Sequence, residues 1–263
     1  MPRLAGEVNI RDRVESQLLA DFDARRVAFA GDDGFPLGGV LLAPRAKPRP
    51  RAAVVLVEAS DTLAAYDSLA FGLRRMGFAV MLLEPRGSGR SVGPSCPLPS
   101  TWRGREAEMQ SWCAGDVPAA VRALAREARA DTSRYLLVGV CSTAPVAAEA
   151  ARHDRRAAVL MLVTPGPSPA DRGHMRADLE ALKRPIYFQT GPEDYTAYAV
   201  LDSLYRGSDM RISRIAESEQ RGTRATLFRY DPHIWERFKV WLAESWPRTP
   251  AKRATPPSRR RTG

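Results

Sequence analysis

Residues 53–83 read AVVLVEASDTLAAYDSLAFGLRRMGFAVMLL. Positions 53–57 form an unbroken apolar run of strand length. Positions 63–76 space their apolar residues as a helix does and stop at Gly77, and positions 78–83 are apolar again. Strand, helix and strand at this spacing suit a right-handed crossover between parallel neighbours. A strand without polar alternation is one covered on both faces, as in the middle of a parallel sheet.

The same alternation extends in both directions. Residues 26–30 and 37–42 read as strands joined by the turn Gly31-Asp32-Asp33-Gly34, a hairpin signal. Beyond an irregular Gly-, Pro- and Ser-rich excursion at 85–111, helices are expected at 116–130, 144–153, up to about 182, at 197–206 and at 234–245. Strands are expected at 135–140, 157–163, 185–189 and 225–230. This pattern predicts one α/β domain over about 26–246: a mostly parallel, doubly wound sheet with an N-terminal hairpin and no large lid. Residues 1–25 read as a polar lead-in and 247–263 as a basic, disordered tail.

Composition sets the outer bounds. With 263 residues, 44% hydrophobic and 27% charged, the chain is globular rather than wholly disordered. No apolar run reaches the length of a membrane span. The net charge is +10, but residues 245–263 carry six basic groups and no acid, leaving +4 on the rest. The body has no aromatic-interleaved basic sheet and no helix-turn-helix, so no specific nucleic-acid partner is expected. The tail alone would bind polyanions nonspecifically. Three cysteines (Cys96, Cys113 and Cys141) form neither a disulfide framework nor a zinc pattern. No cofactor or metal is expected. The first ten residues lack a signal-type apolar core, so the expected compartment is the cytoplasm.

In doubly wound sheets, ligands bind beyond the carboxyl ends of the strands. After 135–140 comes Cys141-Ser142-Thr143-Ala144 and then a helix. Gly139-Val140-Cys141-Ser142-Thr143 fits the strand–turn–helix elbow that presents a nucleophile, with Thr143 where the pattern has Gly. A thiol there sits at a helix N-terminus, which favours its thiolate; a buried structural cysteine is the plain alternative. After 185–189 comes Gly191-Pro192-Glu193-Asp194, and after 225–230 comes Asp231-Pro232-His233. Nucleophile, acid and histidine in this chain order match a hydrolytic triad of Cys141, Asp194 and His233. Glu193 is the rival acid. His153 and His174 sit in polar surroundings and read as surface groups.

From these residues the chain resembles the α/β-hydrolases over about 26–246, and in its cysteine elbow the dienelactone hydrolase branch. That branch also carries a Glu directly after the strand preceding the first crossover helix, where this sequence has Glu58-Ala59-Ser60. Leu83-Glu84-Pro85-Arg86-Gly87-Ser88-Gly89-Arg90-Ser91 instead resembles the structural turn of the broader serine esterase and aminopeptidase branches. The resemblance implies hydrolysis of a small ester or lactone through an acyl-enzyme on Cys141. His233 would be the base, Asp194 its orienting acid, and the amides of Ala59 and Ser142 the oxyanion donors. Glu58 would restrain the resting thiol; its plain reading is a helix N-terminal carboxylate. Arg105 and Arg237 are candidates for a substrate carboxylate, or ordinary surface arginines. The competing expectations are a catalytically inactive relative that binds a ligand, and a relative of the serine branches with another acyl substrate.

Overall fold

The computed structural model describes residues 19–20, 23–44, 49–59, 61–93, 96, 104–166 and 169–247. The basic tail after 247 and most of the lead-in lie outside the described residues.

Eight strands form one sheet: β1 (Arg25–Ala30), β2 (Pro36–Leu42), β3 (Arg51–Leu56), β4 (Phe78–Leu83), β5 (Asp131–Val140), β6 (Ala157–Val163), β7 (Ile186–Thr190) and β8 (Arg214–Glu217). Their spatial order is β1-β2-β4-β3-β5-β6-β7-β8. β1 pairs antiparallel with β2 and β2 with β4, while every later pairing is parallel. The helices are α1 (Asp67–Arg75), α2 (Glu106–Ala128), α3 (Ala144–His153), α4 (Pro169–Ala181), α5 (Tyr195–Gly207), α6 (Leu227–Tyr230) and α7 (His233–Ser245). Residues 164–168 alone join β6 to α4, so no large lid is inserted there.

The two-residue period of a strand divides the core into two layers. Val54 and Leu56 of β3 face Val117 and Leu124 of α2, with Ala147 of α3 and Leu179 of α4 on the same side. Val55 of β3 and Val138 of β5 face the other way, onto Leu69 and Leu73 of α1 and Phe238 and Trp241 of α7. This is the doubly wound arrangement that the apolar runs predict. Among the described residues, no helix is long and apolar enough to cross a membrane.

Two expectations are corrected. Residues 225–230 are not a strand. Arg224–Thr226 is a 3-10 turn that continues into α6, and Thr226 Oγ1 accepts the Thr223 amide and donates to the Thr223 carbonyl. The eighth strand is instead β8, a four-residue edge strand with polar residues at both ends. It is too short and too polar to show an apolar run, whereas Leu-Phe-Arg-Tyr at 227–230 is more apolar. Second, α2 begins ten residues before the expected start at 116. Asp116 and Pro118 read as a helix start, yet the helix runs through both. The Asp116 carboxylate is committed elsewhere, to Arg86.

Arg86, from the turn after β4, locks the N-terminal hairpin onto the sheet. Its Nε and Nη2 donate to both oxygens of Asp116 at 2.7 and 2.6 Å, and its Nη1 donates to Asp33 in the hairpin turn at 2.7 Å. The guanidinium also lies over the Phe35 ring. The side chains of Arg86 and Asp116 are 8% and 2% exposed. Breaking a buried pair leaves one charge uncompensated, which costs about 3–5 kcal/mol. Asp116→Ala should therefore lower the urea-unfolding free energy by about 3 kcal/mol. A loss below about 1 kcal/mol, the range of a surface pair, would show that the triplet does not hold the hairpin in place.

Candidate active site

The site is assembled at the carboxyl ends of β3, β5, β6 and β7. Register brings the residues beyond each strand alongside one another. Leu56 pairs with Gly139, so Glu58 lies two steps on, level with Cys141; Val140 pairs with Val163, so Cys141 lies level with Thr164.

Cys141 leaves β5 at φ +48°. A residue with a side chain adopts this left-handed conformation only when its surroundings impose it. The turn is held from both ends. A Cβ on Gly139 would meet the Ala144 Cα and the Ala147 Cβ at 2.8 Å, so α3 can pack this close only over a glycine. Thr143, the departure from the usual elbow, has φ −90° and needs no glycine. Its hydroxyl accepts the Val140 amide at 2.8 Å and lies 2.9 and 3.2 Å from the carbonyls of Val140 and Leu56 as donor. A β-branched hydroxyl thus closes the turn and ties it to β3. The Ser142 amide faces the Cys141 sulfur.

The half-buried thiol is pushed up to about 11. Burial contributes most and the Glu58 carboxylate next, with Arg224 and the Ser142 amide pulling the other way. Glu58 is 8% exposed. Its amide donates to the Tyr66 hydroxyl at 2.8 Å, and that hydroxyl donates to Asp61. Ala59 sits half-buried in the turn closed by the Asp61 amide on the Glu58 carbonyl; Ser60 lies outside the described residues.

Asp194 ends the turn after β7 and precedes α5. Its burial raises the carboxyl to about 6, while the facing amides of Arg224 and Gly191 pull it down. Its Oδ2 is buried and has no hydrogen-bond partner among the described residues. Gly191 lets the chain after β8 approach. A Cβ there would run into Leu227 Cδ2 and lie 3.0 Å from the Gly222 carbonyl. Glu193 accepts the Gly222 amide at 3.1 Å from the same turn.

His233 is not brought to this site. Asp231-Pro232-His233 is the start of α7: the buried Asp231 carboxylate accepts the His233 amide at 3.0 Å, and the imidazole is 70% exposed with Nδ1 3.3 Å from Glu236. An acidic residue followed by Pro ahead of an amphipathic stretch is a helix-start signal. His153 and His174 are exposed as well. None of the three histidines lines the cleft over Cys141. The side chain arriving from beyond β8 is Arg224, at φ +53°. Its Nη1 is 3.0 Å from Glu58 and 3.3 Å from Asp61, and its charge reaches Cys141. Sequence reasoning missed Arg224 because it missed β8.

Arg105 and Arg237 are elsewhere too. Arg105 is exposed, paired with Glu108 at 2.9 Å and set over Trp112. Arg237 donates to Asp231 at 3.0 Å and lines a separate groove between β8 and α7.

Cys141, Asp61, Thr164, Glu193, Asp194 and Arg224 line an open cleft of ≈ 360 Å³. Among the described residues no group of His, Cys, Asp and Glu side chains converges as metal ligands would. The cleft therefore offers a strained, mostly protonated thiol, a guanidinium beside it, a carboxyl of raised pKa, and no imidazole.

No protein-family model and no curated protein matches the sequence. Solved structures do. An esterase of Pyrococcus furiosus is 14% identical, with a TM-score of 0.68 over 94% of this chain and 97% of that one. The esterase domain of a Rhodothermus marinus protein is 15% identical, with a TM-score of 0.61 over 84% and 98%. A dienelactone hydrolase-like promiscuous phosphotriesterase from metagenomic libraries is 20% identical, with a TM-score of 0.55 over 74% and 80%. At these identities the likeness is one of fold alone.

The site's electrostatics can be read through Cys141 itself. The alkylation rate of the Cys141 peptide, followed by mass spectrometry against pH, should rise to a midpoint near 11. Glu58→Gln removes a like charge and should move that midpoint down by about one unit, speeding alkylation about tenfold at pH 8. Arg224→Gln should move it up. Superimposable profiles would contradict this account of the thiol.

Proposed function

We propose that the protein accepts the acyl group of a small ester or lactone on Cys141 and releases it slowly. The observation that carries this reading is the pairing of a strained Cys141 elbow with Arg224, rather than a histidine, from the chain after β8. The elbow exposes the sulfur to the cleft, and the Ser142 amide, with that of Ala59, is suited to an oxyanion. In the acylation step, the thiolate attacks the carbonyl carbon, the leaving alkoxide takes the C–O bonding pair, and the thiol proton goes to solvent. Water then cleaves the thioester to a carboxylic acid and restores the thiol. With a thiol near 11, about one in a thousand is ionised at pH 8. General acid–base help of the kind an imidazole gives, about 10²–10⁴-fold, is lacking at both steps. The reading thus favours good leaving groups and a long-lived acyl-enzyme.

The inactive, ligand-binding relative is the second reading, favoured by the same absence of an imidazole from the cleft. The test is a pre-steady-state assay with 4-nitrophenyl acetate. The acyl-acceptor reading expects a burst of about one nitrophenolate per chain, a slow steady state, and loss of the burst in Cys141→Ala. No burst would leave the binding reading. Arg224→His supplies an imidazole beside Asp194 and should raise the steady-state rate at least about tenfold, a gain that the further change Asp194→Asn removes. No gain would show that residue 224 is not placed where a base can serve Cys141.

A further inference from the structure

The cleft has a charge pattern that its acyl chemistry does not require. Although the chain carries a net charge of +10, the cleft over Cys141 is lined by the carboxylates of Asp61, Glu193 and Asp194, with Glu58 behind them. Among the described residues Arg224 is the one basic side chain in its lining, and it is engaged with Glu58 and Asp61. On the far side, Asp194 feels the Arg224 charge less than it feels its own burial and the amides of Arg224 and Gly191.

A second observation lies on that same side. Thr164 follows β6 at φ +42°, lines the cleft and is 3% exposed, and its Oγ1 has no hydrogen-bond partner among the described residues. Asp194 Oδ2 is buried without a partner as well. A buried polar oxygen left unpaired costs about 1–3 kcal/mol, so such atoms collected at a cleft mark where a ligand donates. A carboxylate oxygen only accepts, and a threonine hydroxyl accepts readily. The complementary ligand group is rich in N–H donors and positively charged.

We propose that the cleft binds a small ligand bearing a protonated nitrogen, an ammonium or amidinium group, seated between Asp194 and Thr164 beside Cys141. Such a cation would donate to Asp194 Oδ2 and to Thr164 Oγ1. It would also favour the ionised carboxyl of Asp194, whose burial otherwise holds it near 6. This names the ligand class for the cleft of the proposed function; it rests on that cleft being the ligand site and not on acyl transfer.

The test is an NMR titration of the full chain, ¹⁵N-labelled, with three probes of matched size at constant ionic strength: propylammonium, propionate and 1-propanol. Propylammonium should give saturable shifts of the Gly166, Gly191 and Gly222 amides, with a Kd at least tenfold below those of the other two. Asp194→Asn and Thr164→Val should each weaken it at least fivefold. Removing an unpaired buried hydroxyl does not cost stability, so the Thr164 variant stays informative if the Asp194 variant fails to fold. Equal affinity for the three probes, or propylammonium binding unchanged in Thr164→Val, would overturn the proposal. Cation binding without a nitrophenolate burst would uphold it and remove the acyl-acceptor reading. A burst without cation binding would do the reverse.

Discussion

At Cys141 the chain passes from β5 to α3 through φ +48°, a conformation that costs a residue with a side chain about 1–3 kcal/mol. The neighbours impose it. Gly139 lets α3 close onto the strand, and the Thr143 hydroxyl holds the Val140 amide while reaching the end of β3. That turn places the sulfur in the cleft, where the charges of Glu58 and Arg224 reach it. The remainder of the site follows from register, since the strands beside β5 end level with it.

The parts of the molecule legible in the sequence are those fixed by local, repeated signals. β4, α3 and β6 follow the apolar patterns to the residue, because a central strand is apolar throughout and a packed helix keeps its buried face apolar. The elbow was legible because a tight turn demands small residues at set positions. What could not be read was an edge. β8 is covered poorly, needs few apolar residues, and looks like loop. Reading 225–230 as the last strand puts His233 in the position of the base. The structure shows instead that Asp231 and Pro232 begin α7. Arg224 carried no local signal of its own; only a correct placement of β8 could have pointed to it.

Replacing an imidazole by a guanidinium changes what a thiol at this elbow can do. A guanidinium cannot accept a proton at ordinary pH, so it assists Cys141 only by its field. That field is largely spent on Glu58 and Asp61 at 3.0 and 3.3 Å. The thiol then stays protonated because burial and Glu58 outweigh Arg224. Asp194, which in a triad would orient the base, keeps a buried oxygen without a partner. Glu58 and Asp61 suppress the thiolate, while the unpaired oxygens of Asp194 and Thr164 lie on the other side of the cleft, where the proposed cation would sit.

The central claim is that no histidine serves Cys141. The most direct measurement is the nitrophenyl acetate time course of His233→Ala beside that of the unaltered chain. The account predicts superimposable bursts and steady states, since His233 is an exposed residue paired with Glu236. A loss of about 10²-fold or more, the contribution of a general base, would return His233 to the site and contradict the account.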